Sequence, residues 1–267
     1  GVGASVTNAL SEWLEVEIYR DGLIHKQRYE YWVDKNGIEH VGEPVTGLEV
    51  IGKTNKTGTK VTFKPDNRVF AGGVAVSYDP LAERLQEIAF LNSGLTINIK
   101  DERSGNKDTY HYTGGAREFV EFLNGDKTTL HEPIHFFGEK DDIEVEVAVQ
   151  FNDGYTETIV SFVNSIPTRS GGTHETGFKT AFTRVMNDYA RKTGLLKEKD
   201  KNLDGVDLRE GMMAVINIKM SDVEFVGQTK DQLGSMEARS AVEAVVAERM
   251  AVFLEENPQT AQNLLRK

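Results

Sequence analysis

Hydrophobic and polar residues alternate over short stretches in the first hundred positions, and this pattern predicts a sheet. Alternation over 13–19 and again over 23–29, with Asp21-Gly22 between them, predicts a β-hairpin. The other strands predicted here are 60–63, 95–100 and 108–112. Helices are predicted over 6–12 and from Asp79-Pro80 to Gly94, where an apolar face recurs at helical spacing. This half therefore reads as a sheet with helices on one side.

The second half has a different pattern, which begins after a break at Gly114-Gly115 and a short helix around Phe119. Strict alternation over 143–151, the turn sequence Asn152-Asp153-Gly154 and a returning run over 155–163 predict a second hairpin. The remaining predicted elements are a helix with Phe178 and Phe182 on one side, a charged exposed loop over 197–210, a strand over 213–220 and a long helix over 235–255.

Composition narrows the class of protein. A chain of 267 residues, 39% hydrophobic and 27% charged, can bury a sizeable core and is expected to form two domains. No apolar run approaches the roughly twenty residues of a membrane span, and no signal-peptide layout is present. The absence of cysteine excludes disulfides and thiolate metal sites. A net charge of −11 argues that this chain does not by itself supply the main contacts to nucleic acid.

Three glycine-containing loops are the candidates for chemistry. Gly1-Val2-Gly3-Ala4-Ser5 precedes a predicted helix, whose unpaired N–H groups and dipole suit a phosphate. Ser170-Gly171-Gly172-Thr173-His174 precedes another helix. In the third loop, Gly227 to Gly234, Lys230 can be presented outward as a point charge for a terminal phosphate.

Each candidate also has a plain structural interpretation. Lys230 fits a solvated loop lysine, because surface lysines are the norm. His174 is expected to be structural, since no partner stands at a catalytic spacing. Arg20 fits either a pocket wall or an exposed strand edge. The carboxylates that alternate with apolar residues indicate a solvated strand face; they are Glu12, Glu15 and Glu17.

Five motifs, taken in this order, resemble the ATPase subunit of bacterial type IIA topoisomerases, a family that comprises the gyrase B subunit and the topoisomerase IV B subunit (ParE). They are Gly1-Val2-Gly3-Ala4-Ser5-Val6 with Asn8-Ala9-Leu10-Ser11, Thr57-Gly58-Thr59, Phe90-Leu91-Asn92-Ser93-Gly94, Gly171-Gly172-Thr173-His174 and Gln228-Thr229-Lys230. The similarity extends over nearly the whole chain. Residues 186–203 look most like the topoisomerase IV branch of Gram-positive bacteria, with gyrase B as the near alternative.

The resemblance implies an α+β architecture in two parts. Residues 1–113 would be the C-terminal part of a GHKL-type ATPase domain, which is an α/β sandwich, and 114–124 a linker helix. Residues 125–267 would be a transducer domain with a ribosomal-protein-S5-like fold. On this view the chain is a fragment that lacks the N-terminal half of the ATPase domain.

The resemblance also implies roles for single residues. The backbone of Gly1, Val2, Gly3, Ala4 and Ser5 would wrap the phosphates of ATP, and Thr59 would lie in the nucleotide pocket. Lys230 would reach the γ-phosphate with Gln228 beside it, and these two are the catalytic candidates. Arg20 matches the pocket-rim arginine that coumarin-type inhibitors contact in the family.

The family's catalytic glutamate, its asparagine ligand for Mg²⁺ and its adenine-reading aspartate have no counterpart here. They are expected upstream of Gly1, so ATP and Mg²⁺ are the implied cofactors while no metal ligand is predicted in this chain. The fragment alone is expected to be inactive.

The implied function is to couple ATP binding and hydrolysis to closure of a dimer gate and to DNA strand passage, giving decatenation and relaxation in the cytoplasm. The implied partners are a second copy on ATP binding, an A subunit of ParC or GyrA type in a heterotetramer, and a DNA segment. The alternatives are the gyrase B subunit, which supercoils DNA negatively, and a non-catalytic interaction module with an S5-like fold. Gln228-Thr229-Lys230 and Gly172-Thr173-His174 speak against a mismatch-repair or chaperone GHKL protein.

Overall fold

A computed structural model describes residues 2–267, and Gly1 lies outside the described residues. The chain divides into two compact units, one that ends at Ser77 and one formed by Tyr78–Lys267. The segment 78–113, which was expected to belong to the first domain, lies within the second unit. The domain boundaries at 113 and 125 stay predictions. No helix described within residues 2–267 combines the length and apolar character needed to cross a membrane.

The first unit is a five-stranded antiparallel sheet preceded by a short helix. Its elements are α1 (Gly3–Ala9), β1 (Ser11–Arg20), β2 (Leu23–Val33), β3 (Glu39–Pro44), β4 (Glu49–Lys53) and β5 (Gly58–Pro65). The strand order is β3-β2-β1-β5, and β4 also pairs with β2. Asp21 and Gly22 have φ values of 53° and 77°, and a two-residue turn of this kind matches the twist of the strands it joins. The predicted hairpin of β1 and β2 is confirmed.

The faces of this sheet differ in chemistry. The predicted solvated carboxylates all contact cations: Glu12 with Lys64, Glu15 with Lys26 and Arg28, and Glu17 with Lys60. Val61 and Phe63 lie on β5 and remain 54% and 48% exposed. Among the described residues of this unit, Leu14 is the one apolar side chain that is buried. The first unit therefore has a small core of its own.

The second unit is built on a mixed five-stranded sheet with helices on both faces. Its elements are α2 (Tyr78–Leu91), β6 (Thr96–Lys100), β7 (Lys107–His111), α3 (Ala116–Asn124), β8 (Ile134–Lys140), β9 (Ile143–Phe151), β10 (Thr158–Val163), β11 (Ile166–Pro167), α4 (Thr173–Lys192), α5 (Gly205–Leu208), β12 (Met212–Lys219), α6 (Met236–Glu256) and α7 (Pro258–Arg266). The strand order is β11-β10-β12-β9-β8, and β6 pairs with β7 separately.

The predicted hairpin of 143–151 with 155–163 is wrong. β12 lies between these strands, antiparallel to β9 and parallel to β10. β12 occupies the centre of the sheet, where a neighbouring strand pairs with each of its edges. It is therefore buried at every position except Lys219. The hairpin that does form joins β8 to β9 through Asp141 and Asp142, whose φ values of 53° and 60° suit a tight two-residue turn.

Both faces of the central strands are covered, and each face has its own apolar cluster. Val147 of β9 and Ile216 of β12 pack with α4 and α6, while Val215, one position along, packs with α2 and α3. On that second face Phe90 of α2 stacks on Phe119 of α3, with ring centroids 4.7 Å apart. This stacking explains why α2 lies within the second unit.

Helices α4 and α6 approach closely at Gly177, where a Cβ atom would lie 2.6 Å from the backbone carbonyl oxygen of Arg239. We expect Gly177→Ala to lower the free energy of unfolding by about 2 kcal/mol, because separating two packed helices costs more than the better helix propensity of alanine returns. Urea unfolding followed by circular dichroism measures this. Thr180→Ala, exposed on the same helix, is the control and should change stability by less than about 0.7 kcal/mol. Equal midpoints for the two variants would contradict the close-approach argument.

Candidate functional site

Gly3, Ala4 and Ser5 form the first turn of α1, so this part of the predicted loop does not precede a helix over 6–12 but belongs to the helix. Residues 3–5 are helical, and the Val6 N–H donates to the Val2 carbonyl oxygen at 2.9 Å. Gly3 needs no left-handed backbone, so nothing interrupts the helix at that position. No side chain caps this helix start, and its first N–H groups point along the axis. Gly1, the first residue of the predicted phosphate loop, lies outside the described residues.

Thr59 and Arg20 lie near the same end of β1. Thr59 is exposed on β5 and pairs with Ile18, two residues before Arg20. The Arg20 side chain is 78% exposed, and its Nε lies 3.5 Å from the Asp21 carboxylate. This exposure agrees with either role predicted for Arg20. Helix α1 joins β1 at the opposite end of the strand, so the structure places these two residues apart from the α1–β1 junction.

In the second unit, residues 224–234 form a closed loop between β12 and α6, and we call it the lysine loop. The Val226 N–H donates to the Gln232 carbonyl at 3.0 Å, and the Gly234 N–H donates to the Glu224 carbonyl at 2.8 Å. These two backbone hydrogen bonds hold the two ends of the loop together, as in a short β-hairpin. The predicted lysine position is therefore the tip of a short closed structure.

Lys230 is exposed at that tip. Its backbone is left-handed, with φ 60°, and its N–H donates to the Gly227 carbonyl at 3.2 Å. The ammonium Nζ lies 5.9 Å from the centre of the Phe225 ring and forms no ion pair within residues 2–267. Gln228 is also exposed, two residues before Lys230. The charge is presented to solvent, where an anionic ligand can meet it.

Residues 170–173 form a second loop that holds the lysine loop, and we call it the glycine loop. The Ser170 N–H donates to the Asp231 carbonyl at 2.9 Å, next to Lys230 in the chain. The Leu233 N–H donates to the Gly171 carbonyl and the Thr173 N–H donates to the Leu233 carbonyl, both at 3.1 Å. The two loops thus pair through backbone groups in the manner of parallel strands.

Gly172 makes this close pairing possible. It has a φ of 143°, and a Cβ atom there would lie 2.5 Å from the Leu233 carbonyl oxygen, so a larger residue cannot be accommodated without separating the loops. Beside the pair is an open cavity of about 450 Å³, which Glu175, Lys179 and Arg239 help to line. The cavity carries charges of both signs and lies against the lysine loop.

His174 lies under the glycine loop, where it is fully buried. Its Nε2 is 2.9 Å from the Thr168 hydroxyl, and the Thr168 hydroxyl is 2.9 Å from the Ser161 carbonyl oxygen. The Ser161 hydroxyl in turn donates to Glu175 at 2.7 Å. Burial lowers the pKa of His174 to about 4, so the ring is neutral near pH 7. His174 is placed as a structural group inside a polar network.

Ser161 and Thr168 were not among the residues singled out from the sequence. Both are nearly fully buried, Ser161 in β10 and Thr168 just after β11. The available signal was a serine inside the otherwise apolar run Ile159-Val160-Ser161-Phe162-Val163, since a buried hydroxyl requires a hydrogen-bond partner. The charged stretch 197–210 was expected to be an exposed loop, but its end folds into α5 and buries Arg209 against Glu157 at 3.1 Å.

The chain is similar in sequence and in structure to B subunits of DNA gyrase and of DNA topoisomerase 4. The family model described as DNA gyrase B matches residues 115–267. The B subunit of DNA topoisomerase 4 from Staphylococcus aureus (strain Mu50 / ATCC 700699) is 54% identical over 271 residues, which cover 100% of this chain and 40% of that protein. The chain therefore spans about 40% of the length of such relatives.

Two solved structures cover the whole chain. The 43K ATPase domain of Thermus thermophilus gyrase B, in complex with an aminocoumarin, is 39% identical with a TM-score of 0.83. The topoisomerase IV ATP binding domain of Francisella tularensis, in complex with a small molecule inhibitor, is 28% identical with a TM-score of 0.79. The match covers 70% of each of those two chains.

Proposed function

Because the chain belongs to the DNA gyrase B family, we propose that it is the ATP-binding and transducer region of a type IIA DNA topoisomerase B subunit, of the topoisomerase IV type. In the full-length protein it would couple ATP binding and hydrolysis to closure of a dimer gate and passage of a DNA segment. The 54% identity to the B subunit of a topoisomerase 4 supports that branch, and the 39% identity to a gyrase B domain keeps gyrase as the alternative.

The observation that carries this proposal is the presentation of Lys230. Its ammonium is exposed, has no carboxylate partner within residues 2–267, and stands on a loop whose ends and flank are fixed by backbone hydrogen bonds. The fixed loop sets the position of the Lys230 backbone, and the flexible side chain presents its charge where it can act on charge that develops during phosphoryl transfer. A lysine that served solubility alone would need no such support.

We propose that bound ATP supplies a phosphoryl group that leaves readily, and that this chain binds and orients it. Lys230 would neutralise charge at the γ-phosphate, with Gln228 beside it, and the first N–H groups of α1, at residues 3–5, would face the phosphates together with Gly1 and Val2. Thr59 would line the nucleotide pocket, and Arg20 its rim, in keeping with the aminocoumarin bound to the Thermus relative.

Magnesium would be held by residues outside this chain. No group of three His, Cys, Asp or Glu side chains suited to a metal ion occurs among residues 2–267.

We also propose the two-part organisation predicted above, with residues 1–113 completing the ATPase domain and 125–267 acting as the transducer. The full-length protein would form a cytoplasmic heterotetramer with an A subunit of ParC or GyrA type.

Reconstitution tests this function. The full-length protein that contains this chain, mixed with its A subunit, Mg²⁺ and ATP, is expected to unlink catenated DNA circles and to relax supercoiled plasmid. Omission of ATP is the control and should abolish decatenation. Negative supercoiling of relaxed plasmid would instead assign the chain to gyrase. No ATP hydrolysis and no strand passage by the mixture would favour a non-catalytic interaction module.

A further inference from the structure

The buried hydroxyl and imidazole below the glycine loop connect the core of the second unit to the lysine loop. Thr168 is bonded through its N–H and its hydroxyl to the Ser161 carbonyl, both at 2.9 Å, so it is fixed to β10. His174 binds the same hydroxyl from the first turn of α4. The glycine loop, residues 170–173, therefore runs between two anchored points.

One arrangement of the hydrogen atoms in this network pairs every donor. The Thr168 proton is directed to Ser161, whose carbonyl and hydroxyl oxygens lie 2.9 and 2.7 Å away. Thr168 can then only accept from His174, which places the imidazole proton on Nε2. The other nitrogen, Nδ1, is buried without a partner among the described residues, and an unpaired acceptor costs less there than an unpaired N–H. The network thus favours the neutral tautomer that carries its proton on Nε2.

From these observations we propose that Thr168 and His174 are positioning residues for Lys230, which act through the glycine loop on the lysine loop. This proposal rests on the function proposed above. The path is short: Ser170 binds the carbonyl of Asp231, the neighbour of Lys230, while both backbone groups of Leu233 pair with the glycine loop. Thr168 and His174 are 2% and 0% exposed, so neither side chain can contact a bound nucleotide directly.

Variants of matched shape in the full-length protein test the proposal. Thr168→Val keeps the shape of the side chain and removes the hydroxyl, whereas Thr168→Ser keeps the hydroxyl. His174→Leu removes the donor, whereas His174→Gln places an amide N–H near the position of Nε2. For Thr168→Val and His174→Leu we expect kcat for ATP hydrolysis to fall about tenfold with KM changed less than about twofold, since an interaction that matters in the transition state alone is weakened. Thr168→Ser and His174→Gln should keep kcat within about threefold of the wild-type value.

Amide hydrogen exchange supplies a readout that does not depend on ATP. In Thr168→Val we expect the protected amides of the lysine loop, those of Val226, Leu233 and Gly234, to exchange about tenfold faster, while the amides of β9 and β12 stay slow. Slow exchange in these central strands shows that the variant is folded. Thr180→Ala, exposed on α4, should leave both readouts unchanged.

The outcomes separate this inference from the proposed function. Unchanged lysine-loop exchange in Thr168→Val and His174→Leu would overturn the positioning role, whatever Lys230 does. Faster exchange with full turnover would also overturn it when Lys230→Ala abolishes turnover in the same protein. If Lys230→Ala keeps full turnover, the function proposed for that lysine fails, and faster exchange would still establish that Thr168 and His174 hold the loop. A fall in kcat that is equally large in Thr168→Ser and His174→Gln would mark a merely structural effect and would count against the proposal.

Discussion

Replacing Lys230 with alanine in the full-length protein is expected to lower kcat for ATP hydrolysis by about 10²- to 10³-fold. The exposed ammonium at the tip of the lysine loop would stabilise charge that grows in the transition state, and the loss of one such group costs roughly 3–4 kcal/mol. Affinity for a non-hydrolysable ATP analogue should weaken less than about tenfold, because other groups share in binding the ground state. Steady-state ATPase and equilibrium binding assays measure the two effects separately.

Two comparisons make the result specific to this lysine. Lys201→Ala removes an equal charge from the exposed stretch 197–202 and should leave kcat within about twofold. Lys230→Arg keeps the charge on a planar group of different reach and is expected to restore turnover only in part. If Lys230→Ala hydrolyses ATP at the rate of Lys201→Ala, then Lys230 is a solvated surface residue and the proposed role is wrong.

His174 is expected to make the second unit less stable as the pH falls from about 6.5 toward about 4. The pKa of its imidazole is lowered by burial from 6.5 to about 4, so between these values the unfolded chain binds a proton that the folded chain does not. Stability is therefore complete above the unfolded pKa and is lost progressively on acidification. The loss amounts to roughly 1 kcal/mol by pH 5.5 and about 3 kcal/mol by pH 4.

The measurement is urea unfolding of this chain between pH 7.5 and 5.5, which stays above its isoelectric point of about 5.1. Both tryptophans, Trp13 and Trp32, lie in the first unit, so their fluorescence does not report on the second unit, and circular dichroism, which follows both units, is used instead. His131 also has a pKa lowered by burial, and the difference between wild type and His174→Gln isolates the effect of His174. A difference that does not change with pH would show that His174 ionises freely in the folded chain.

The sequence was most informative where a pattern is local. The β1–β2 hairpin was predicted because its turn residues sit directly between two alternating runs. The pairing of 143–151 with 155–163 had equally good local signals and was wrong, because β12 arrives some sixty residues later and occupies the place between them. Periodicity identifies a strand but carries no information on a neighbour that is distant in the chain.

The candidate site shows the same limit. Lys230 could be located from the sequence because its loop is bounded by glycines between a strand and a helix, and the structure places it at an exposed tip. The residues beneath could not be found in this way, since Thr168 and Ser161 derive their importance from a contact between separate segments. His174 could be identified as structural because no catalytic partner stood at a recognisable spacing.

The late position of β12 also has a consequence for synthesis. As the chain leaves the ribosome, β8 and β9 can pair at once because two residues join them, whereas β10 must wait until 212–219 has emerged before its main neighbour exists. Until then β9 and β10 each present an unpaired apolar edge, which favours association with other nascent chains. While the part of the chain that has left the ribosome ends between about residues 165 and 211, both of these edges are thus exposed.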